Sequence, residues 1–325
     1  MRLPEVIAAG ALALALCAAT PPVSAAADGP AAWLLSLGGD IDEDGGYRAD
    51  AGVIWAPSLV TSLTAQAGSA DTSTDLEHFK ADLATIGFDH FFGRFGMNVD
   101  ARWWDQHDLF SSTTLGATLY YREADWRVGL RAEARRSDLD QFDFSAVVPI
   151  RNVLVPITGQ GKCSLENTAL GITVSRTGKA WSGLVSGINY DYSTADCDLT
   201  GVALPTQAGN LPPISRELFR RLATRVLQAG AQLIGSELTR ENGFLDYTVW
   251  GALGYRSSLM TLGVDYYHDR EEFAGEQADT LIGSITFPVS DRLDLELRIG
   301  ASDSDLEGRV AFAGLTLLAY LGSPP

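Results

Sequence analysis

Apolar and polar residues alternate with a period of two along most of the chain. Apolar residues occupy every second position at 95–103, at 126–134 and at 293–301, and charged residues, amides and glycines stand between them. Successive side chains of a β-strand point to opposite faces of its sheet. The pattern therefore predicts strands with one wholly apolar face and one polar face.

The length of these strands separates two classes of β-protein. Strands of a soluble sandwich average about five or six residues, whereas a tilted strand needs about 9–11 residues to cross a membrane. The alternating segments here approach the second length. Inside lipid every backbone polar group must be paired, which a closed barrel achieves without edges. We therefore predict an all-β protein, a closed antiparallel transmembrane β-barrel, and keep a soluble β-protein as the alternative.

The connections between these segments alternate between short and long. Short turns are expected at 56–58, 92–93, 123–125, 178–179, 257–258 and 289–290, and longer polar connections at 39–46, 68–75, 105–112, 194–242, 269–277 and 302–308. Outer-membrane barrels have short periplasmic turns and longer outer loops. The pattern predicts about fourteen strands. The segment Asp143–Pro156 is ambiguous, because a separate hairpin there would make sixteen, but Pro149 and Pro156 cannot donate ladder hydrogen bonds and favour a loop.

The N-terminus predicts a signal peptide over residues 1–27, followed by one barrel domain over residues 28–325. Arg2 precedes the apolar run 7–19, and the small residues 23–27 offer a cleavage site. Cys17 raises the alternative of a lipoprotein, which Leu16 before it disfavours. The rest of the sequence has no run of 18 apolar residues that would predict a transmembrane helix.

One segment abandons the period of two. Residues 213–238, inside the long connection 194–242, carry a helical stripe that includes Leu218, Leu222 and Val226. We therefore expect one helical insertion in a long outer loop. It could enter the pore as a constriction or plug, cap the mouth, lie on the lipid headgroups or bind a partner.

Charge narrows the partners and locates the pore wall. The net charge of −17 argues against nucleic acid, whose phosphates need a basic surface. Charged residues on strands would cost several kcal/mol if they faced lipid at the midplane, so they are expected to line the lumen. The predicted pore-lining residues are Asp100, Arg102, Arg122, Arg127, Arg131, Asp294, Glu296 and Arg298.

Taken as a whole, the mature chain resembles the porin-like β-barrels of Gram-negative outer membranes. The resemblance includes an apolar and aromatic closing strand at 309–321, although Gly322–Pro325 follow where such barrels end on an aromatic residue. It implies a passive channel for small hydrophilic solutes or ions in the outer membrane. It also implies a cationic wall of Arg102, Arg127 and Arg131 facing acidic groups that include Asp100, Asp294 and Glu296.

The same resemblance implies contacts with the lipid bilayer, lipopolysaccharide and the outer-membrane assembly machinery, and it is compatible with a homo-oligomer. Two alternatives stay open. The charged residues could form ion pairs that fill a blocked lumen, and the barrel could be a non-enzymatic component of surface-polymer export or envelope assembly.

Cys163 and Cys197 remain after cleavage of the leader, and an even pair in an exported chain favours a disulfide. They flank a hairpin whose turn is expected at Gly178–Lys179. A two-residue turn there would misalign them by three residues, an offset that a bulge or the fraying end of the hairpin could absorb.

Two motifs bear on metals and catalysis. Asp40, Asp42 and Asp44 match the opening of a calcium loop, but Ala51 replaces the glutamate at its twelfth position, so they form only a weak candidate for a metal site. The four histidines, His78, His90, His107 and His268, have no serine or paired acids in a catalytic pattern. We therefore expect neither a cofactor nor an enzymatic activity.

Overall fold

The computed structural model describes residues 32–73, 78–106, 110–150, 153–193, 196–203, 244–272, 275–305 and 308–321. The predicted signal peptide and the predicted helix 213–238 lie outside these ranges. The described residues form antiparallel strands with these bounds: β1 Ala32–Asp42, β2 Tyr47–Ser58, β3 Thr61–Ser73, β4 His78–Phe92, β5 Phe95–Gln106, β6 Phe110–Glu123, β7 Trp126–Ile150, β8 Val153–Thr177, β9 Trp181–Tyr192, β10 Asp196–Ala203, β11 Leu245–Arg256, β12 Thr261–Glu271, β13 Gln277–Ser290, β14 Leu293–Ser304 and β15 Gly308–Leu321.

Fourteen of these strands close into a barrel. Each pairs with its neighbours in chain order, except that β9 pairs with β11, and β1 pairs with β15 to close the ring. The fifteenth strand, β10, pairs with β8 beyond the point where β9 ends. The structure thus confirms the closed antiparallel barrel of fourteen strands, and the alternative of sixteen is wrong.

The segment Asp143–Pro156 is not the loop that its prolines favoured. Its described residues, 143–150 and 153–156, continue β7 and β8 as an antiparallel ladder, in which Pro149 pairs with Leu154 in register. Strand β7 is paired with β6 only as far as Leu139. Beyond that point, within the described residues, β7 is an edge strand whose alternate amides lie outside the ladder. Proline is tolerated at such positions.

The ends of several strands also differ from the prediction. Residues 56–58 belong to β2, and the turn that follows is Leu59–Val60. At the opposite end, Phe110–Ser112 begin β6 where a loop was expected. Strand ends that extend beyond the lipid on either side of the membrane meet water on both faces. These ends therefore lose the alternation on which the prediction depended.

Large apolar side chains cover the outside of the barrel. Leu119, Leu170 and Ile299 are 68%, 74% and 70% exposed. In water such exposure would cost about 25 cal/mol per Å², whereas in a bilayer these side chains contact acyl chains. Aromatic pairs such as Trp33–Trp55 and Trp181–Tyr255 lie on this face at the short-turn end, where barrels carry an interfacial girdle. This is the architecture of a β-barrel of the Gram-negative outer membrane, with the short turns at its periplasmic end.

No helix among the described residues is long and apolar enough to span a bilayer.

Candidate pore wall and its charge networks

Four charged residues that bond closely to one another in the lumen come from two strands, β5 and β7, which flank β6. Asp100 and Arg102 lie on β5, and Arg131 and Glu133 lie on β7, with β6 between them. Both pairs have a spacing of two, so each pair points to the same face of its strand. We call these four residues the arginine–carboxylate network.

Arg131 is the centre of this network. Its Nη2 donates to Oδ2 of Asp100 at 2.9 Å, and its Nε donates to Oε1 of Glu133 at 2.5 Å. Arg102 donates from Nη2 to the same Oε1 of Glu133 at 2.6 Å, and its Nε lies 3.3 Å from Oδ2 of Asp100. Two cations thus bridge two anions, and the network has no net charge.

The network is well shielded from water on its β7 side. The side chain of Glu133 is 2% exposed and that of Arg131 is 19% exposed. Gly116 on β6 makes room for Arg131, because a Cβ atom there would collide with the guanidinium group. Glu133 was absent from the predicted site residues, although its spacing of two from Arg131 already placed it on the same face.

A second cluster lies near the periplasmic end of the same wall. Arg122 on β6 and Arg127 on β7 are direct cross-strand neighbours. Like charges in that position are unfavourable, and aromatic rings offset part of this cost. The Arg127 guanidinium stacks 3.5 Å above the Tyr120 ring, and both arginines lie about 5 Å from the Phe91 ring. We call Arg122 and Arg127 the periplasmic arginine pair.

The two arginines differ in whether a nearby acid balances their positive charge. Arg127 has an acid within ion-pair distance, with its Nη2 at 3.8 Å from Oδ2 of Asp89. Arg122 forms no ion pair with any described residue, and its side chain is exposed. The pair therefore contributes excess positive charge to this end of the lumen.

The predicted residues of β14 line the opposite wall. In the ring of fourteen strands β14 lies seven strands from β6 in either direction. Arg298 forms an ion pair with Asp40 at 3.1 Å and lies 3.7 Å from Glu296, while Asp294 accepts a hydrogen bond from Tyr320 at 2.9 Å. The resemblance implied that Asp100 would belong to this opposing wall. It does not, because Asp100 lies on β5 and contacts Arg131 on β7.

A cavity of about 510 Å³ lies beside β5–β7, the wall that carries the arginine–carboxylate network. Arg102, Arg127 and Arg131 line one side of it, and Trp250 and Tyr267, stacked with centroids 5.5 Å apart, line another. These two aromatic residues were also missed, because one tryptophan and one tyrosine in an alternating strand are equally compatible with a lipid-facing girdle.

Solvent access differs between the two ends of the lumen. Inward side chains near the outer ends of the strands are buried all around the ring, including Phe110, Ser302 and Val310. At the periplasmic end Arg122 is exposed. Inward side chains are thus more deeply buried near the outer ends of the strands than Arg122 is at the periplasmic end.

The backbone aligns the two cysteines. Cys163 on β8 stands directly opposite Cys197 on β10, and the Cys163 side chain is 1% exposed. The hairpin turn is longer than the expected two residues, since Thr177 pairs with Ser182. The misalignment is therefore one residue rather than three, and it falls between Tyr192 at the end of β9 and Asp196 at the start of β10.

The three aspartates of the acidic motif do not converge. Asp40 turns toward Arg298 in the lumen, and Oδ1 of Asp42 accepts the backbone amides of Asp44 and Gly46. Among the described residues, no group of three or more histidine, cysteine, aspartate or glutamate side chains could hold a metal ion.

His268 lies on the exterior near the outer end of β12. Its register partners are Val249 and Asp279. Its ring is within hydrogen-bond distance of Oδ1 of Asp279 at 2.9 Å and the hydroxyl of Tyr247 at 3.1 Å. His90 contacts Thr61 at 2.8 Å. His107 and the side chain of His78 lie outside the described part of the chain.

No protein-family model matches the sequence, and no curated protein matches it. Solved structures with a similar fold include OccK3 (OpdO) of Pseudomonas aeruginosa, at 9% identity and a TM-score of 0.39 over 90% of this chain and 95% of that chain. The outer-membrane protein OmpT of Vibrio cholerae, in its trimer form, has 11% identity and a TM-score of 0.42 over 90% and 98%. The KdgM porin has 8% identity and a TM-score of 0.39 over 87% and 97%. Similarities at this level carry no conclusion about function.

Proposed function

We propose that the chain forms a passive channel for small hydrophilic solutes or ions across the outer membrane. The observation that carries this proposal is the lining of the lumen. Charged side chains on β5–β7 and on β14 face each other across the barrel, and one of these walls borders a cavity of about 510 Å³. Side chains can fill a barrel of about eight strands, so a ring of fourteen has room for a water-filled path.

The periplasmic arginine pair is the part of the wall that we expect to act on permeating ions. In the arginine–carboxylate network each guanidinium group is held by carboxylates, whereas Arg122 has no acidic partner among the described residues. The pair therefore attracts the carboxylate, phosphate or sulfate group of a solute more strongly than the network does. The rest of the chain remains acidic, with a net charge of −17, and we expect weak cation preference in the wild-type channel.

Planar bilayers test both statements. The mature barrel should give discrete single-channel currents, and the Arg122→Ala/Arg127→Ala variant should shift the reversal potential in a salt gradient further toward cations, because two positive charges leave the wall. Lowering the salt should enlarge the difference, since the Debye length grows from about 10 Å at 0.1 M to 30 Å at 0.01 M.

Arg309→Ala is the matched control for this shift. Arg309 lies on the exterior face of β15 and is exposed, so its removal should leave the reversal potential unchanged. An equal shift in both variants would show that overall charge, and not the wall, sets selectivity.

We also propose that Cys163 and Cys197 form a disulfide that ties β10 to β8. Their direct pairing in register supports it.

Cys163→Ser should leave the barrel folded, because β8 stays paired with β7 and β9, while protease cleavage within 194–242 should become faster. In the chain-entropy model, the loop that a bond between Cys163 and Cys197 closes contributes about 3–4 kcal/mol to the free energy of unfolding. Mass mapping of the unreduced protein checks the bond directly, and two free thiols would contradict it.

A further inference from the structure

The exterior of the barrel has an apolar groove that the channel does not use. It lies on the face that contacts lipid, across β7, β8, β9, β11 and β12, and has a volume of about 510 Å³. Its walls include Trp126, Val185, Leu253 and Tyr266. We call this depression the exterior groove.

Two glycines form the floor of this groove. Gly183 on β9 is paired with Leu253 on β11, and Gly251 on β11 is paired with Val185 on β9. Each glycine thus stands beside a large side chain, and its own position on the surface carries no side chain. A Cβ atom at Gly251 would meet only the carbonyl oxygen of Leu184, at 3.9 Å. The backbone does not need a glycine there, and its effect is to leave a space.

One end of the exterior groove is basic. Arg176, which lines the groove, is one residue from the periplasmic end of β8, and Lys179 lies exposed in the turn that follows. The guanidinium group of Arg176 stacks 5.4 Å from the Trp126 ring and forms no ion pair with a described acidic residue. An arginine at the membrane interface without an acidic partner can form two parallel hydrogen bonds with a phosphate group.

From this combination we infer that the exterior groove binds one anionic glycerophospholipid of the periplasmic leaflet. An acyl chain occupies the space above Gly183 and Gly251, and the phosphate group is held by Arg176 with Lys179 nearby. A free phosphate ion would use the basic end but not the apolar space, and a zwitterionic lipid would gain less from two cations. This site is independent of conduction, so it can exist whether or not the lumen transports solutes.

Native mass spectrometry of the detergent-solubilised mature barrel, titrated with phosphatidylglycerol or phosphatidylcholine, tests the inference. The wild type should retain one phosphatidylglycerol in preference to phosphatidylcholine. Arg176→Ala/Lys179→Ala should weaken that retention at least about fivefold, the effect of one basic residue at an anionic membrane surface. Arg292→Ala, in another periplasmic turn, is the control for general charge.

Gly251→Leu fills the apolar space and should abolish retention of both lipids. Gly283→Leu is its matched control, since Gly283 is a glycine on the exterior of β13 where a Cβ atom would likewise meet nothing closer than 3.9 Å. Heat-modifiable migration in gels verifies that each variant is folded.

Four results would overturn the inference. The first is equal retention of the two lipids by the wild type, and the second is equal loss in Gly251→Leu and Gly283→Leu. The third is binding of inorganic phosphate alone as tightly as phosphatidylglycerol. If Gly251→Leu instead converts an oligomer into monomers in the same spectra, the groove is a contact between copies of the chain, and the lipid site is likewise rejected.

Discussion

Arg131→Ala is expected to destabilise the barrel by about 3 kcal/mol, the lower end of the range for breaking a buried ion pair. The loss leaves Asp100 and Glu133 with Arg102 as their remaining partner in the network. Because the Glu133 side chain is 2% exposed, its hydrogen bonds in the wild type come from the two arginines rather than from water, and the substitution removes one of these donors. The free energy of unfolding, measured by denaturant titration of the barrel in micelles, checks the value.

The same substitution is expected to change ion selectivity. A neutral network becomes one with a net charge of −1, and this charge faces the cavity. The reversal potential in a salt gradient should therefore move toward cations. Adding Glu133→Gln in the Arg131→Ala background removes the surplus charge and should return the reversal potential toward that of the wild type.

Arg136→Ala provides the control on the same strand. Arg136 forms an exposed pair with Asp138 at 3.2 Å on the outward face of β7. Exposed pairs contribute about 0–1 kcal/mol, so both stability and selectivity should stay near the wild-type values. If Arg131→Ala costs no more than Arg136→Ala, the arginine–carboxylate network does not stabilise the wall.

Deletion of residues 213–238 is expected to raise the single-channel conductance several-fold. The helical period of this segment and its place in the outer connection 194–242 motivate the hypothesis that it constricts the pore. Inward side chains near the outer ends of the strands, such as Phe110 and Val310, are buried. Conductance rises with the cross-section of the narrowest part, and a ring of fourteen strands is wider than its own side chains can fill.

This experiment also separates the channel from its alternative. Planar-bilayer recordings of the deletion variant and of the full mature chain should be compared at the same salt, with gel migration confirming that the variant is folded. A folded deletion variant that passes no current would reject the channel, and a role in surface-polymer export or envelope assembly would replace it. An unchanged conductance would place the segment outside the conducting path.

Much of the barrel was determined by local sequence. The period of two determines which side chains face lipid and which face the lumen, so it places Arg127, Arg131 and Arg298 in the lumen. The alternation of short and long connections fixed the antiparallel order and the two ends. These features depend on neighbouring residues alone, because a strand has only two faces.

The tertiary structure decided what these inward charges do. The sequence grouped Asp100 with the acids opposite the arginines, but cross-strand register brings it to Arg131, where it completes a network without net charge. Register also set the pairing of Cys163 with Cys197, which depends on the true length of a turn near residue 178 and on a strand, β10, that the sequence did not indicate. Alternation says which face a side chain occupies but not how far along the neighbouring strand its partner lies. That distance is fixed only when turn lengths, bulges and closure of the ring are satisfied together.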